Sequence, residues 1–178
     1  MPETLLIPVS VIALVEDQIS SSPIVLLHDQ QSNRLLPIWI GDFEARAIAI
    51  ILNKTPAPRP LTHKLVLNTL QNMGGKLLHV VIDRLKNNTY FASMHVVRDG
   101  HNIAIDARPS DAVAIALEAK TPIFVTKEIM DSAAQKNPFP DINQQQDRPA
   151  QAKTNFKESD LKKLKELFEK ARQREQSS

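Results

Sequence analysis

Residues 76–107 decide the fold class, and they read KLLHVVIDRLKNNTYFASMHVVRDGHNIAIDA. Asn87-Asn88 and Asp99-Gly100 divide this stretch into three runs rich in apolar and β-branched residues. Both dipeptides are typical of tight hairpin turns because Asn, Asp and Gly tolerate positive φ. The runs therefore predict strands over residues 76–85, 89–97 and 102–107, and strands joined by hairpins pair in antiparallel fashion.

The N-terminal part of the chain predicts a second group of strands. Apolar residues alternate along residues 5–15, which is the period of a strand with one buried face. Short apolar runs follow at residues 23–27 and 35–40, separated by the polar segment 29–33. These three strands are expected to form a meander. A last short strand is predicted over residues 122–126.

Three helices are predicted over residues 44–52, 62–73 and 112–119. Asp42 and Thr62 are residue types that favour N-cap positions, and Gly74-Gly75 favours a helix end. The helices do not alternate with every strand, as they would in a doubly wound sheet. We therefore expect an α+β fold with a mixed, largely antiparallel sheet.

Composition divides the chain into three parts. Residues 1–131 form the predicted α+β domain, and residues 132–154 are rich in Gln, Asn and Pro, which favours a flexible linker. Residues 155–178 predict a charged amphipathic helix. Its apolar residues at a-and-d spacing are Leu161, Leu164, Phe168 and Ala171. Docking of this helix onto the domain and docking onto a partner are both compatible with the pattern.

The distribution of charge limits the kinds of partner. Residues 1–131 hold 12 Lys and Arg against 13 Asp and Glu, whereas residues 153–178 hold 8 against 5. The domain thus lacks the broad positive field of a general nucleic-acid binder. The 178-residue chain has no cysteine, begins without a signal-like segment and contains no apolar run long enough for a membrane span. We expect a soluble cytoplasmic protein.

Three segments combine proline or glycine turns with charged and hydroxyl side chains. They are Leu36-Pro-Ile-Trp-Ile-Gly-Asp-Phe-Glu44, Arg59-Pro-Leu-Thr-His63 and Asp106-Ala-Arg-Pro-Ser-Asp111. Each lies where a helix is predicted to begin, and a helix N-terminus offers unpaired N–H groups and a positive dipole end. The sequence therefore predicts a polar site assembled from three loops.

The same segments, in this order, resemble those of the bifunctional nuclease domain family. The resemblance extends over residues 5–130 and rests on Pro37-Ile-Trp-Ile-Gly41, Glu44-Ala45 and the last two segments above. It implies a compact α+β domain, self-association into a homo-oligomer, and nuclease activity on DNA and RNA. It does not bring an agreed catalytic mechanism, so the roles of individual residues are argued from their chemistry.

Carboxylates near these loops are candidates for binding a divalent cation. Cleavage of a phosphodiester needs an activated water and neutralised charge at phosphorus, which Mg²⁺ or Mn²⁺ can supply. Glu44, Asp106 and Asp111 are the predicted metal ligands, with Asp42 also available. The alternative is that Asp42 and Asp111 only complement the N-termini of helices.

The remaining polar residues suggest acid–base and phosphate-binding roles. His63 and Asp106 are the predicted catalytic residues, since imidazole titrates near neutral pH. Guanidinium groups suit bidentate contact with phosphate. The predicted phosphate-binding residues are Arg59, Arg108, Thr62 and Ser110. A hydrogen bond joining two loops is the structural alternative for the histidine, and salt bridges to carboxylates are the alternative for the arginines.

Two hypotheses for function follow. The first is a metal-assisted nuclease of broad specificity on DNA and RNA. The second is a non-catalytic oligomeric module that recognises an anionic ligand or a protein partner, with the C-terminal helix recruiting that partner. Trp39 is interpreted as part of the core or of a subunit interface.

Overall fold

The computed structural model describes residues 5–17, 19–139 and 158–176, and within these residues the chain forms eight strands and five helices. The strands are β1 (Leu6–Glu16), β2 (Pro23–Asp29), β3 (Arg34–Trp39), β4 (Lys76–Lys86), β5 (Thr89–Arg98), β6 (His101–Ala107), β7 (Ile123–Thr126) and β8 (Gln135–Lys136). The helices are α1 (Asp42–Leu52), α2 (Thr62–Asn72), α3 (Pro109–Ala119), α4 (Lys127–Ala133) and α5 (Glu158–Gln176). None of these described helices has both the length and the apolar character needed to cross a membrane.

All eight strands belong to one sheet, in the order β6-β5-β4-β7-β1-β2-β3-β8. Two antiparallel meanders, β1–β2–β3 and β4–β5–β6, are joined through β7, which pairs antiparallel with β1 and parallel with β4. The hairpin turns have the positive φ values that their sequences predict, at Asn87, Asn88, Asp99 and Gly100. The expected α+β fold with a mixed, largely antiparallel sheet is confirmed.

The two faces of the sheet support two apolar clusters. Along β2, Val25 and Leu27 belong to the main core, whereas Ile24 and Leu26 belong to a second cluster. This division follows from the alternation of side chains along a strand. Helix α3 lies at the centre of the main core, where its buried stretch from Ala112 to Ala116 packs against α1, α2 and the sheet.

The C-terminal helix α5 covers the second cluster. Leu164, Leu167, Phe168 and Ala171 are buried, and the first three join the cluster that also contains residues of β1, β2 and β3. The structure thus shows docking onto the domain, one of the two arrangements that the sequence left open. The a-and-d spacing did not predict that Leu167 is buried. The side chain of Leu161, which it did include, is not among those that the structure describes.

The N-caps of α1 and α2 differ from the prediction. The N-caps of α1 and α2 are Gly41 and Leu61, and neither helix has a side-chain cap. Asp42 and Thr62 are instead the first residues of their helices, so their assignment as N-caps was wrong. Helix α3 begins at Pro109, in agreement with the expectation that Pro109-Ser-Asp opens it, because proline fits the first turn, where no intrahelical N–H bond is required.

The domain continues beyond residue 131. Helix α4 and the two-residue strand β8 were not predicted, since so short a strand has no detectable period. The composition favoured a linker from residue 132. Instead, β8 pairs with β3, Phe139 is buried in the second cluster, and Asn137 donates a hydrogen bond to Asn33 at 2.8 Å. The rest of the predicted linker lies outside the described residues.

Candidate active site

The N-termini of α1, α2 and α3 are linked by one chain of polar contacts. Arg108, immediately before α3, donates from Nη1 to Glu44 Oε1 in α1 at 2.8 Å. It also donates to both carboxylate oxygens of Asp111, from Nε at 2.6 Å and from Nη2 at 3.0 Å. His63 Nε2 in α2 lies 3.1 Å from Asp111 Oδ1. We call Glu44, His63, Arg108 and Asp111 the polar network.

His63 has the least exposed side chain in the polar network. Its side chain is 15% exposed, against 28% for Asp111 and 64% for Arg108. A neutral imidazole that donates from Nε2 to a carboxylate keeps its lone pair on Nδ1. The hydrogen bond to Asp111 therefore fixes the ring so that Nδ1 is the atom able to accept a proton.

The contacts of the polar network favour the ionised form of Asp111. Burial would raise the pKa of Asp111, but hydrogen bonds from Arg108 and His63 outweigh burial and hold that pKa below its ordinary value of 3.8. The hydrogen bonds that Arg108 donates to Asp111 and to Glu44 raise the pKa of Arg108. Two carboxylates thus face one guanidinium.

Acid is expected to release the Asp111 contacts and destabilise the fold. Because the folded-state pKa of Asp111 lies below 3.8, the unfolded chain binds more protons at low pH. This stabilisation is present above about pH 4 and is lost as the pH falls through the lowered pKa. Urea unfolding at several pH values should show a smaller acid loss for Asp111→Asn than for the wild type. Equal losses would contradict the ionised network.

The absence of a side chain at Gly41 leaves room for the carboxylate of Glu44. A Cβ placed on Gly41 would collide with the carboxylate of Glu44, which folds back over the start of α1. The backbone of Gly41 has φ −77°, so the requirement for glycine is one of space and not of backbone conformation. The glycine at this position therefore lets Glu44 reach Arg108.

Gly41→Ala is expected to displace Glu44 while leaving the fold intact. The colliding atoms are at the end of a flexible side chain, which moves without disturbing the backbone. The expected result is a melting temperature within a few degrees of the wild type, together with loss of the Glu44–Arg108 contact in a crystal structure. An unchanged contact would contradict the steric argument. Gly100→Ala is a contrasting variant, because it places a Cβ in open space and its cost comes from backbone strain at a positive φ and not from a collision.

A cleft of about 420 Å³ lies beside the network, with Glu44 and Arg108 in its lining. Its other lining residues are Ile38, Trp39, Ile40, Gly41, Asn88, Thr89, Tyr90, Pro109 and Ser110. The sequence reasoning did not identify Asn88, Thr89 and Tyr90 as site residues. The turn at Asn87-Asn88 was visible in the sequence, but the side of the sheet that it adjoins depends on the tertiary structure.

The predicted site residues divide into two groups. Glu44, His63, Arg108 and Asp111 meet in the polar network, and Ser110 lines the cleft. Asp106, Arg59 and Thr62 are exposed and take no part in the hydrogen bonds of the network.

Asp106 is set apart by the alternation of side chains along β6. It pairs with Ser93 in β5, whereas the adjacent β5 residues Ala92 and Met94 point into the core beneath α3. Asp106 therefore lies on the sheet face away from α3. Its side chain is 80% exposed, and its ion pair is with Arg84 at 3.9 Å.

The donor set does not form a metal site within residues 5–17, 19–139 and 158–176. No three His, Asp or Glu side chains in these ranges are placed to hold one ion. Glu44 and Asp111 both turn their oxygens toward Arg108, and Asp106 is not with them. Binding of Mg²⁺ or Mn²⁺ stays a prediction from the sequence, which the side-chain arrangement does not support.

Similarity to other proteins agrees with the motifs. The profile of the Bifunctional nuclease domain matches residues 25–138. An uncharacterized protein of Mycobacterium tuberculosis is 35% identical over 90% of this chain and 92% of its own length. Bifunctional nuclease 1 of Oryza sativa subsp. japonica is 28% identical over 65% of this chain and 36% of its own length.

Bifunctional nuclease 2 of Arabidopsis thaliana is 28% identical over 60% of this chain and 33% of its own length. The chain therefore spans about a third of these plant proteins. The resemblance seen in the three loop segments is confirmed by the domain profile, which covers more than half of the residues. From these motifs, the fold and the profile match, the chain belongs to the bifunctional nuclease domain family.

Proposed function

We propose that the chain is a nuclease that hydrolyses phosphodiester bonds in DNA and RNA at the cleft beside the polar network. The observation that carries the proposal is the chain of contacts from His63 through Asp111 and Arg108 to Glu44 at this cleft. Membership in the bifunctional nuclease domain family and the names of the plant relatives support it. In this proposal Arg108 and Glu44 line the cleft, and His63, which does not line it, is linked to Arg108 through Asp111.

His63 is the proposed acid–base residue. Its Nδ1 takes a proton from the attacking water, whose oxygen forms the new bond to phosphorus while the bond to the leaving oxygen breaks. The proton then passes to the leaving oxygen. Asp111 accepts the hydrogen bond from Nε2, which orients the ring and stabilises the positive charge that develops on it.

Arg108 is the proposed phosphate-binding residue. A guanidinium has five N–H groups, and the bonds to Glu44 and Asp111 use three of them. One N–H on each Nη is not used by these bonds. The two carboxylates hold the guanidinium in one orientation, so that little conformational entropy is lost when a phosphate oxygen binds.

Strand cleavage by highly purified protein tests the proposal. Single-stranded DNA and RNA are incubated with protein obtained by two unrelated purifications, in Mg²⁺, in Mn²⁺ and in EDTA. Cleavage by both preparations at equal specific activity is the expected result. Loss of cleavage in EDTA would support the divalent cation predicted from the sequence, whereas retention would assign the chemistry to the side chains alone. Absence of cleavage in every condition would overturn the proposal.

The second candidate is a non-catalytic oligomeric module. It is favoured by one observation: Arg108 is already paired with two carboxylates, as expected of a clamp that holds α1 and α3 together. In that case His63→Ala and Asp111→Asn would lower stability and change the oligomeric mass, and no preparation would cleave nucleic acid. Sedimentation of the wild type and both variants distinguishes this outcome from the nuclease.

A further inference from the structure

The cleft beside the polar network contains the only tryptophan and the only tyrosine of the chain. Trp39 comes from the end of β3, and Tyr90 comes from the start of β5, just after the Asn87-Asn88 turn. Both residues contribute to the lining of one cavity, with Tyr90 packed against the main core and the ring of Trp39 packed against the second cluster. Aromatic rings are the groups on which unpaired bases stack.

Trp39 is held by contacts outside the cleft. Its Nε1 donates a hydrogen bond to Asp17 Oδ2 at 3.1 Å, and Phe168 of α5 meets its ring edge-to-face at a centroid distance of 5.9 Å. Neither Asp17 nor Phe168 lines the cleft. The indole is therefore fixed before any ligand binds, which reduces the entropy lost on binding.

Three other lining residues of the cleft, Asn88, Thr89 and Tyr90, come from a tight hairpin. Asn87 and Asn88 both have positive φ, at 49° and 56°, which is the conformation of a type I′ turn. This turn brings the Asn88 amide and Tyr90 to the same cavity as Arg108. An amide side chain provides donors and an acceptor for the edge of a base.

The cleft has the size of a small-ligand site. Its volume of about 420 Å³ lies within the range of roughly 300–1,000 Å³ found for pockets that hold one small molecule. Residues 1–131, with 12 positive against 13 negative side chains, do not provide the electrostatic attraction that holds long nucleic acids through their phosphates. Contact with a base inside the cleft would supply affinity for nucleic acid that the nearly neutral domain does not supply through phosphate contacts.

We propose that the cleft binds the base of one unpaired nucleotide, next to the phosphate position at Arg108, so that the substrate is single-stranded DNA or RNA. This inference rests on the proposed nuclease function. A base within a duplex is stacked on both faces and paired along its edge, and it would have to leave the helix to enter the cleft. Single strands present bases without that cost.

Binding of adenosine 5′-monophosphate to the full chain tests the inference. Because Trp39 is the only tryptophan, all tryptophan emission comes from one residue of the cleft lining. Adenosine 5′-monophosphate is expected to quench Trp39, whereas ribose 5-phosphate and inorganic phosphate, which lack a base, are not. Tyr90→Leu keeps apolar bulk but removes the ring, and it is expected to weaken binding about tenfold, as found when base stacking is lost.

Two turn variants provide a matched comparison. Asn88→Gly and Asn87→Gly both suit a positive φ, yet only Asn88 lines the cleft. Weaker nucleotide binding by Asn88→Gly, with unchanged binding by Asn87→Gly, is the expected result. Equal effects of both variants would overturn the inference, as would wild-type binding by Tyr90→Leu or equal quenching by ribose 5-phosphate. Circular dichroism verifies that each variant is folded, and Tyr90→Phe should restore binding.

Failure of this inference and failure of the nuclease proposal give different results. Protein that cleaves single strands and duplexes at equal rates, with no effect of Tyr90→Leu, would retain the nuclease and overturn the base-binding cleft. Protein that binds adenosine 5′-monophosphate through Tyr90 but cleaves nothing would retain the cleft and overturn the nuclease.

Discussion

Replacement of His63 by alanine is expected to lower the rate of strand cleavage by about 100-fold to 10,000-fold, the usual contribution of a general acid–base residue. His63 supplies the imidazole of the polar network, the side chain that most often acts as a general acid or base, and its Nε2 is held by Asp111 at 3.1 Å. Initial rates on a fluorescent single-stranded oligonucleotide measure the effect. KM should change much less than kcat, because the imidazole acts on the reacting atoms and not on the base.

His101→Ala is the matched control for this variant. His101 is the first residue of β6, is exposed, and lies outside both the polar network and the lining of the cleft. Its replacement should leave the rate within about twofold of the wild type, as for surface substitutions away from a site. A His63→Ala protein that is folded and cleaves at the wild-type rate would place the chemistry elsewhere.

Replacement of Phe168 by alanine is expected to destabilise the protein by about 3–5 kcal/mol, the usual loss when a buried phenylalanine is truncated. Phe168 is 4% exposed and packs in the second cluster with Trp39, Leu35 and Phe139. Removing its ring leaves a cavity between α5 and the sheet, and it removes the edge-to-face contact with Trp39. Urea unfolding monitored by Trp39 fluorescence measures the loss.

Lys170→Ala controls for the loss of side-chain atoms from α5. Lys170 lies two positions after Phe168 and is exposed, so its truncation should change the free energy of unfolding by no more than about 0.5 kcal/mol. The emission of Trp39 in folded Phe168→Ala should shift to the red, since water gains access to the indole. Wild-type stability and emission in Phe168→Ala would show that α5 does not hold the second cluster together.

Much of the secondary structure follows from local patterns in the sequence. The alternation at residues 5–15 and the turns at Asn87-Asn88 and Asp99-Gly100 predict β1 and the β4–β5–β6 meander, because strand period and turn chemistry act over a few residues. Errors occur where the signal is weak. The two-residue strand β8 has no period, and the N-caps of α1 and α2 are not made by side chains.

The candidate site was predicted as a set of loops, but its membership depends on packing. Glu44 and Asp111 are far apart in the sequence and meet the same guanidinium because α1 and α3 pack side by side. Asp106 is only two residues from Arg108, yet it lies on the face of β6 that points away from α3, whereas the strand ends at Ala107 and Arg108 is the N-cap of α3. Distance along the chain was therefore a poor guide to the composition of the site.

The sequence by itself determined strands β1 to β7, the hairpin turns and the three loop motifs that mark the family, since each depends on residues close together in the chain. The tertiary structure alone decided that Arg108 joins Glu44 to Asp111, that Tyr90 and Trp39 share a cleft, and that α5 covers the domain. These contacts join segments that approach only when helices and sheet bury their apolar faces together. Local periodicity specifies which face is apolar, but not which other face it meets.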